Sequence, residues 1–294
     1  MKLNRILVSL DGSEHAEKVL ASAAGLALKL NAEVVLLSVS GLEPSADGAE
    51  GDHAQAASEY LDRHVKALAD LGVTAKAVVD SGLPAETIMA VAEREEVAFI
   101  AMATHRESVI ERGILGSVTD RVVRSSSIPV LAVNPEQSGI PTGRDTWTPN
   151  AIIVPLDGSA LAAQCVPPAI EIAKSCGAEL IFIRAVHLPS FAVSGPGAEF
   201  YGNDYGVAKQ RESARQYLEQ FVDMAKEAGV SAHGHAALGN AAARIIEESR
   251  NEPDSIIVIS SHGRGGIRRM MLGSVADKIV RSSHHPVLVI KHAD

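Results

Sequence analysis

Short apolar, β-branched runs alternate along the chain with longer stretches of helical periodicity. Ile6-Leu7-Val8 comes first, and an alanine-rich helical stretch follows Ser13. A second apolar run covers 34–39, an amphipathic helix 53–71, and a third strand 74–80. A shorter helix begins near Pro84, a fourth run covers 97–103, a helix starts at Gly116, and a last strand covers 130–133. The order then recurs. Ile152-Ile153-Val154 leads into a helical stretch after Ser159, followed by strands or helices at 180–186, 207–228 and 231–237. A helix from Asn240, a strand at 255–260, a helix from Gly273 and a strand at 287–290 complete it. Strands alternating with helices predict an α/β fold with a parallel sheet covered on both faces. The runs are continuously apolar, as strands buried on both sides require.

The recurrence extends to residue identity. RILVSLDGS (5–13) returns as AIIVPLDGS (151–159), and LGSVTDRVVRSSSIPVLAV (115–133) as LGSVADKIVRSSHHPVLVI (272–290). Two long matches in the same order mean a duplication, so two tandem doubly wound, five-stranded domains are expected. The expected boundaries are 1–134 for the first, 135–150 for a linker and 151–294 for the second. The linker is rich in proline and glycine and contains the lone tryptophan, Trp147, which is expected to pin it onto a domain surface. From the pattern alone a flavodoxin-like strand order is one guess, with the ligand crevice at the carboxyl edge of the sheet.

Composition narrows the function classes. The net charge of −9 argues against general nucleic-acid binding, because an acidic surface repels the phosphate backbone. No apolar run reaches the roughly 18 residues of a membrane span, and the N-terminus runs straight into a strand, so a cytoplasmic protein is expected. Cys165 and Cys176 read as small buried hydrophobes in a reducing compartment.

Against this acidic background the loop after the fourth strand of the second copy is basic and glycine-rich. It runs Ser260-Ser261-His262-Gly263-Arg264-Gly265-Gly266, and Gly273-Ser274-Val275 opens the next helix. Glycines let the backbone approach a ligand, and unpaired amides at a helix start attract anions. Arg264, Arg268 and Arg269 add positive charge. A Walker pattern is absent. The plainer reading is a loop that merely turns the chain into a helix. Asp11 and Asp157, each at the end of a first strand, can accept hydrogen bonds from a base or ribose, or can simply shape the turn.

Together these motifs resemble the universal stress protein family in its tandem form, over nearly the whole chain. The family pattern of Gly, two residues, Gly, nine residues, Gly-Ser falls on Ser260, Gly263 and Gly273-Ser274, with serine replacing the first glycine. The resemblance implies a Rossmann-like, adenine nucleotide alpha hydrolase-like sheet of order 3-2-1-4-5, with last strands pairing between domains. It implies ATP as the ligand, magnesium accompanying it through its phosphates, and a regulatory role in stress response. Pro155, Asp157 and Ala185 would lie on the base side, and Gly263, Arg264, Gly273, Ser274 and Val275 on the phosphate side. The first copy retains Asp11, Val39, Gly116 and Ser117 but has Ala103 and Arg106 at the first two glycine positions, with Glu107 and Glu111 adding negative charge. Weaker or no ATP binding is expected there. A pseudo-dimer within one chain and further homodimerisation are also implied, as is an unidentified protein partner.

No nucleophile, general base or dedicated metal carboxylate is evident around the phosphates, so binding without efficient turnover is expected. Two other readings stay open: a non-nucleotide interaction module of the same fold, and a slow ATPase or nucleotidyl transferase. His233 and His235 share a strand face but lack a third ligand for a metal. His105 and His262 read as loop-positioning residues. The segment 188–206 gathers Phe191, Phe200, Tyr201 and Tyr205 as a lid, a partner surface or a mobile loop.

Overall fold

A computed structural model of the chain describes residues 2–41, 50–104, 115–134, 146–186, 203–263 and 272–291; the side chains of 50–52 and 203–205 are not described. The first half runs β1 (Arg5–Ser9), α1 (Glu14–Glu17), α2 (Val19–Leu30), β2 (Glu33–Ser40), α3 (Glu50–Asp70), β3 (Ala75–Ser81), α4 (Pro84–Arg94), β4 (Phe99–Ala103), α5 (Ser117–Ser125), β5 (Val130–Val133). The second runs β6 (Ala151–Pro155), α6 (Ala160–Ala163), α7 (Val166–Cys176), β7 (Glu179–Val186), α8 (Asn203–Glu227), β8 (Ala232–Leu238), α9 (Ala241–Asn251), β9 (Ser255–Ser260), α10 (Ser274–Ser282), β10 (Val287–Ile290). The helical stretch after Ser13 or Ser159 is split in each half into a four-residue helix and a longer one.

Among the described residues ten strands join one sheet in the order β3-β2-β1-β4-β5-β10-β9-β6-β7-β8. Each half therefore has the order 3-2-1-4-5, and the flavodoxin-like alternative is corrected. Burial explains the difference. Val34 to Leu37 of β2 are wholly buried, as an interior strand demands, whereas β3 carries Lys76 and Asp80 and is half-exposed throughout, as an edge strand can be. Pairing is parallel within each half and antiparallel only where β10 meets β5, with Val287, Leu288 and Val289 opposite Ala132, Leu131 and Val130. The halves thus continue one sheet and cover two edges that would otherwise be open.

Alternate strand residues feed two apolar layers. Ile6 and Val8 face α2 and α3 (Leu26, Leu61, Leu68), while Leu7 faces α4 and α5 (Ile88, Val91, Val122). The second half repeats this with α7 and α8 on one face and α9 and α10 on the other. A strand buried on both faces must be apolar at every position.

Three polar contacts among the described residues join the halves. Arg124 on α5 and Arg281 on α10 each bind the aspartate of their own helix, Asp120 or Asp277, and that of the other helix. Lys291 donates to the carbonyl of Val123 across the same junction. Trp147, only 2% exposed, joins both halves: its amide donates to the Ala21 carbonyl of α2 and its indole N–H to Asp254 Oδ1, before β9 (3.0 Å). Gly25 permits this approach, because a Cβ there would lie 2.0 Å from the Trp147 carbonyl oxygen. Trp147 is thus held by both halves at once. Residues 135–145 lie outside the described residues.

Candidate functional site

The order 3-2-1-4-5 makes the chain leave the first strand of each half in one direction and return on its other side at the fourth. Helices consequently diverge at the carboxyl ends of those two strands and leave a crevice there. In the second half, between β6 and β9, the crevice is a cleft of about 950 Å³, large enough for a nucleotide-sized ligand.

The β6 edge supplies Pro155 and Asp157 to its wall. The turn that follows is closed by hydrogen bonds: the Ser159 amide and hydroxyl both donate to Asp157 Oδ1 (2.9 and 2.6 Å), and Ser159 Oγ accepts from the Ala162 amide, capping α6. Gly158 lies between them at φ 92°, a left-handed conformation that suits glycine. The plainer reading of Asp157 as a turn-shaping residue is therefore realised by one of its oxygens. The other lies against the loop after β9, since a Cβ on Gly263 would come within 2.4 Å of Asp157 Oδ2. Glycine at 263 is what lets that loop close over the aspartate.

The loop itself is held by its serines. Ser260, in place of the first glycine, donates its hydroxyl to the His262 carbonyl (2.5 Å) and accepts from the His262 amide (3.3 Å). Its side chain thus forms the turn that main-chain freedom alone would otherwise have to allow. Ser261 Oγ lies 3.1 Å from His262 Nδ1, a positioning contact of the kind expected for His262. Arg264, Arg268 and Arg269 lie outside the described residues.

Gly273 is the N-cap of α10 and provides no capping side chain. Its own amide is engaged, donating to the Ser261 carbonyl at 2.8 Å, and its carbonyl accepts from Asp277. The donors that the helix geometry leaves for a ligand are those of the first turn, at Ser274, Val275 and Ala276, all on the cleft wall. A Cβ at 273 would come within 3.3 Å of the Ser261 carbonyl oxygen, so any larger residue would push on the loop that meets the helix.

Across the cleft, β7 contributes Arg184 and Ala185, and α8 contributes Gln210 and Ser213. The Arg184 guanidinium lies 4.5 Å from the centre of the Tyr217 ring, a cation–π contact. Sequence reasoning placed Ala185 here but missed Arg184, Gln210 and Ser213. Gln210 and Ser213 are three apart on one helix face, which is the only signal they carry, and helical spacing does not say what that face meets.

In the first half the same turn forms: the Ser13 amide and hydroxyl donate to Asp11 Oδ1 (3.1 and 2.6 Å), with Gly12 at φ 81°. Gly116 caps α5 and donates its amide to the Thr104 carbonyl (2.7 Å), while Thr119 Oγ1 donates to the Ala103 carbonyl (2.8 Å). Ser117 is exposed, and Val39 packs against the apolar layer. Asp11 is exposed where Asp157 is half-buried. His105, Arg106, Glu107 and Glu111 lie outside the described residues, as do 188–202 of the aromatic segment.

The remaining constellations have local partners. His233 meets Glu179 (2.9 Å) and His235 meets Glu248 (2.7 Å), and among the described residues no group of three or more His, Cys, Asp or Glu side chains is placed to hold a metal. Burial holds the buried His285 below the usual imidazole range. Cys165 and Cys176 sit at opposite ends of α7 as free thiols; burial pushes both up, Cys176 to about 11. Among the described residues no helix is long and apolar enough to cross a membrane.

Comparison with known proteins agrees with this architecture. The model of the universal stress protein family matches residues 2–134 and 149–291. A universal stress protein of Methanocaldococcus jannaschii is 32% identical over 141 residues, 48% of this chain and 81% of that protein. One of Mycobacterium bovis is 25% identical over 228 residues, 76% of this chain and 72% of that protein. Among solved structures, a universal stress protein from Archaeoglobus fulgidus has a TM-score of 0.73 at 23% identity, with 100% of both chains covered, a likeness of fold.

Proposed function

The chain belongs to the universal stress protein family, and from that premise we propose that it is a regulatory protein that binds ATP, mainly in its second half. One observation carries the reading: a cleft of about 950 Å³ lies at the strand crossover, with a half-buried carboxylate at one end and the first-turn amides of α10 on its wall. Asp157 would hold the base or ribose, with Pro155 and Ala185 beside it. The amides of Ser274 and Val275, the Ser274 hydroxyl and the helix dipole would receive the phosphates. Gly263 and Gly273 would keep that cradle clear of side chains, and Arg264 would add charge. Two close approaches support the part given to the glycines: a Cβ at Gly263 would press on the Asp157 carboxylate (2.4 Å), and one at Gly273 would crowd the Ser261 carbonyl (3.3 Å). Magnesium would enter with the phosphates. The role is binding, with the nucleotide acting as a signal read by a protein partner.

The test is mass spectrometry of nucleotide released from the purified, denatured protein, beside a Gly273→Arg variant. ATP from the wild type and none from the variant is the expected outcome. Equal retention by both, or an empty wild type that stays empty at millimolar ATP, overturns the proposal. A turnover assay with Asp157→Ala as control distinguishes slow hydrolysis from binding alone.

A further inference from the structure

We propose that the phosphate end of the second half's site is completed electrostatically by the first half, with Arg124 acting as a positioning charge that sets nucleotide affinity through Asp277. This rests on the reading that the α10 amides receive phosphate.

Asp277 lies in the first turn of α10, three residues beyond Ser274, and its amide bonds the Gly273 carbonyl (2.8 Å). At the usual helical rise that is about 4.5 Å along the axis from the first donor. A carboxylate there suits the helix dipole, but it repels any anion bound at the same terminus. Both of its oxygens are engaged by guanidinium groups. Asp277 Oδ2 takes Arg281 Nε from its own helix (3.0 Å), and Oδ1 takes Arg124 Nη2 from α5 (2.5 Å).

Arg281 is not available to Asp277 alone, because its Nη2 also binds Asp120 Oδ1 (2.6 Å). Arg124 in turn binds Asp120 Oδ2 through Nε (2.9 Å). Two carboxylates and two guanidinium groups form a closed ring across the junction, and Lys291 adds a third cation where it meets Val123. Without Arg124, two carboxylates would share one guanidinium immediately behind the anion site. The four ring side chains are only 26–31% exposed, so salt screens them less than surface charges. The equivalent relation holds in the other direction, with Arg281 of α10 binding Asp120 in the first turn of α5. Because binding free energies are reciprocal, a triphosphate on α10 would also tighten the contact between the halves.

The experiment is calorimetric titration of ATP into the full chain, as wild type, Arg124→Met, Asp277→Asn and the double variant, each with a thermal unfolding curve. Arg124→Met is expected to raise Kd roughly threefold to tenfold. Adding Asp277→Asn should return Kd to within about twofold of wild type, because removing the carboxylate removes the need for its partner. Unchanged affinity in Arg124→Met, or weakening that Asp277→Asn does not reverse, overturns this inference while leaving ATP binding intact. A wild type that takes up no ATP overturns the binding reading and this inference together.

Discussion

Asp11 and Asp157 accept the same pair of hydrogen bonds from Ser13 and Ser159, yet Asp11 is exposed and Asp157 is half-buried. The local turn is the same because LDGS dictates it: a serine that caps the next helix, an aspartate that accepts from it, and a glycine free to turn left-handed. What differs in the sequence is a residue of the loop after the fourth strand, Gly263 in the second half and Arg106 in the first; in the second half glycine lets the loop lie against Asp157.

The opposite wall has diverged too. Tyr60 and His64 on α3 meet edge-to-face at 4.8 Å, and Tyr217 and Phe221 do the same at 5.2 Å on α8. The first pair is bound into a polar cluster through His64 and Glu17 (3.3 Å), and burial together with Glu17 pushes the Tyr60 hydroxyl well above the usual phenol range. The second pair packs on Phe182 and carries Arg184 over Tyr217. One fold thus keeps its packing geometry while the chemistry at the strand ends changes, because the core sees shape and the cleft sees functional groups.

The comparison can be broken most forcefully at Trp147, which belongs to neither half and anchors both. Trp147→Ala is expected to cost about 3–5 kcal/mol of stability, since the buried ring and its indole hydrogen bond to Asp254 are lost. Urea denaturation measures it, and a loss below about 1 kcal/mol would mean that the linker does not hold the halves.

The contrast between the two aspartates gives a smaller effect. Asp157→Ala should weaken ATP binding about tenfold, roughly 1.4 kcal/mol, while Asp11→Ala moves it less than about twofold. Equal effects in parallel titrations would show that the halves bind alike.

The smallest effect lies at the junction. Burial, together with the neighbouring Arg124, lowers the Lys291 amine to about 8 from its ordinary 10.5. Above pH 8 the folded chain therefore releases a proton that the unfolded chain still holds, so stability should rise with pH between about 8 and 10 relative to Lys291→Met. Below pH 8 both states are protonated, and the difference between the two proteins should be level. A difference that stays level across the whole range, in urea midpoints taken at each pH, would rule this out. The first half has Asn134 at the matching place and offers no such titration.

Much of this was legible beforehand. The repeat, the element order and the last strands were visible because buried parallel strands must be apolar at every residue, and because duplicated motifs align without gaps at either end. The strand order was harder. Apolar periodicity shows that β2 and β3 are strands, while their neighbours follow from how much of each is polar: Lys76 and Asp80 mark β3 as the edge. The candidate site was half-visible. Asp157, Gly263 and Gly273 stand in motifs, whereas Arg184 reaches the cleft because β7 pairs beside β6, and Gln210 and Ser213 because α8 lies across β7.

Sequence alone determined the local pieces: the LDGS turn, the glycine at the start of α10, and the apolar strands. Each depends on interactions within a few residues, where backbone sterics and hydrogen bonding leave little choice. Tertiary structure alone decided that Gly273 spends its amide on Ser261, that Gly263 lies against Asp157, and that Arg124 meets a carboxylate 153 residues away. Those contacts join segments far apart in the chain, and no local preference encodes them; they exist because the sheet brings those segments together and the cost of bringing them together is shared across the whole core.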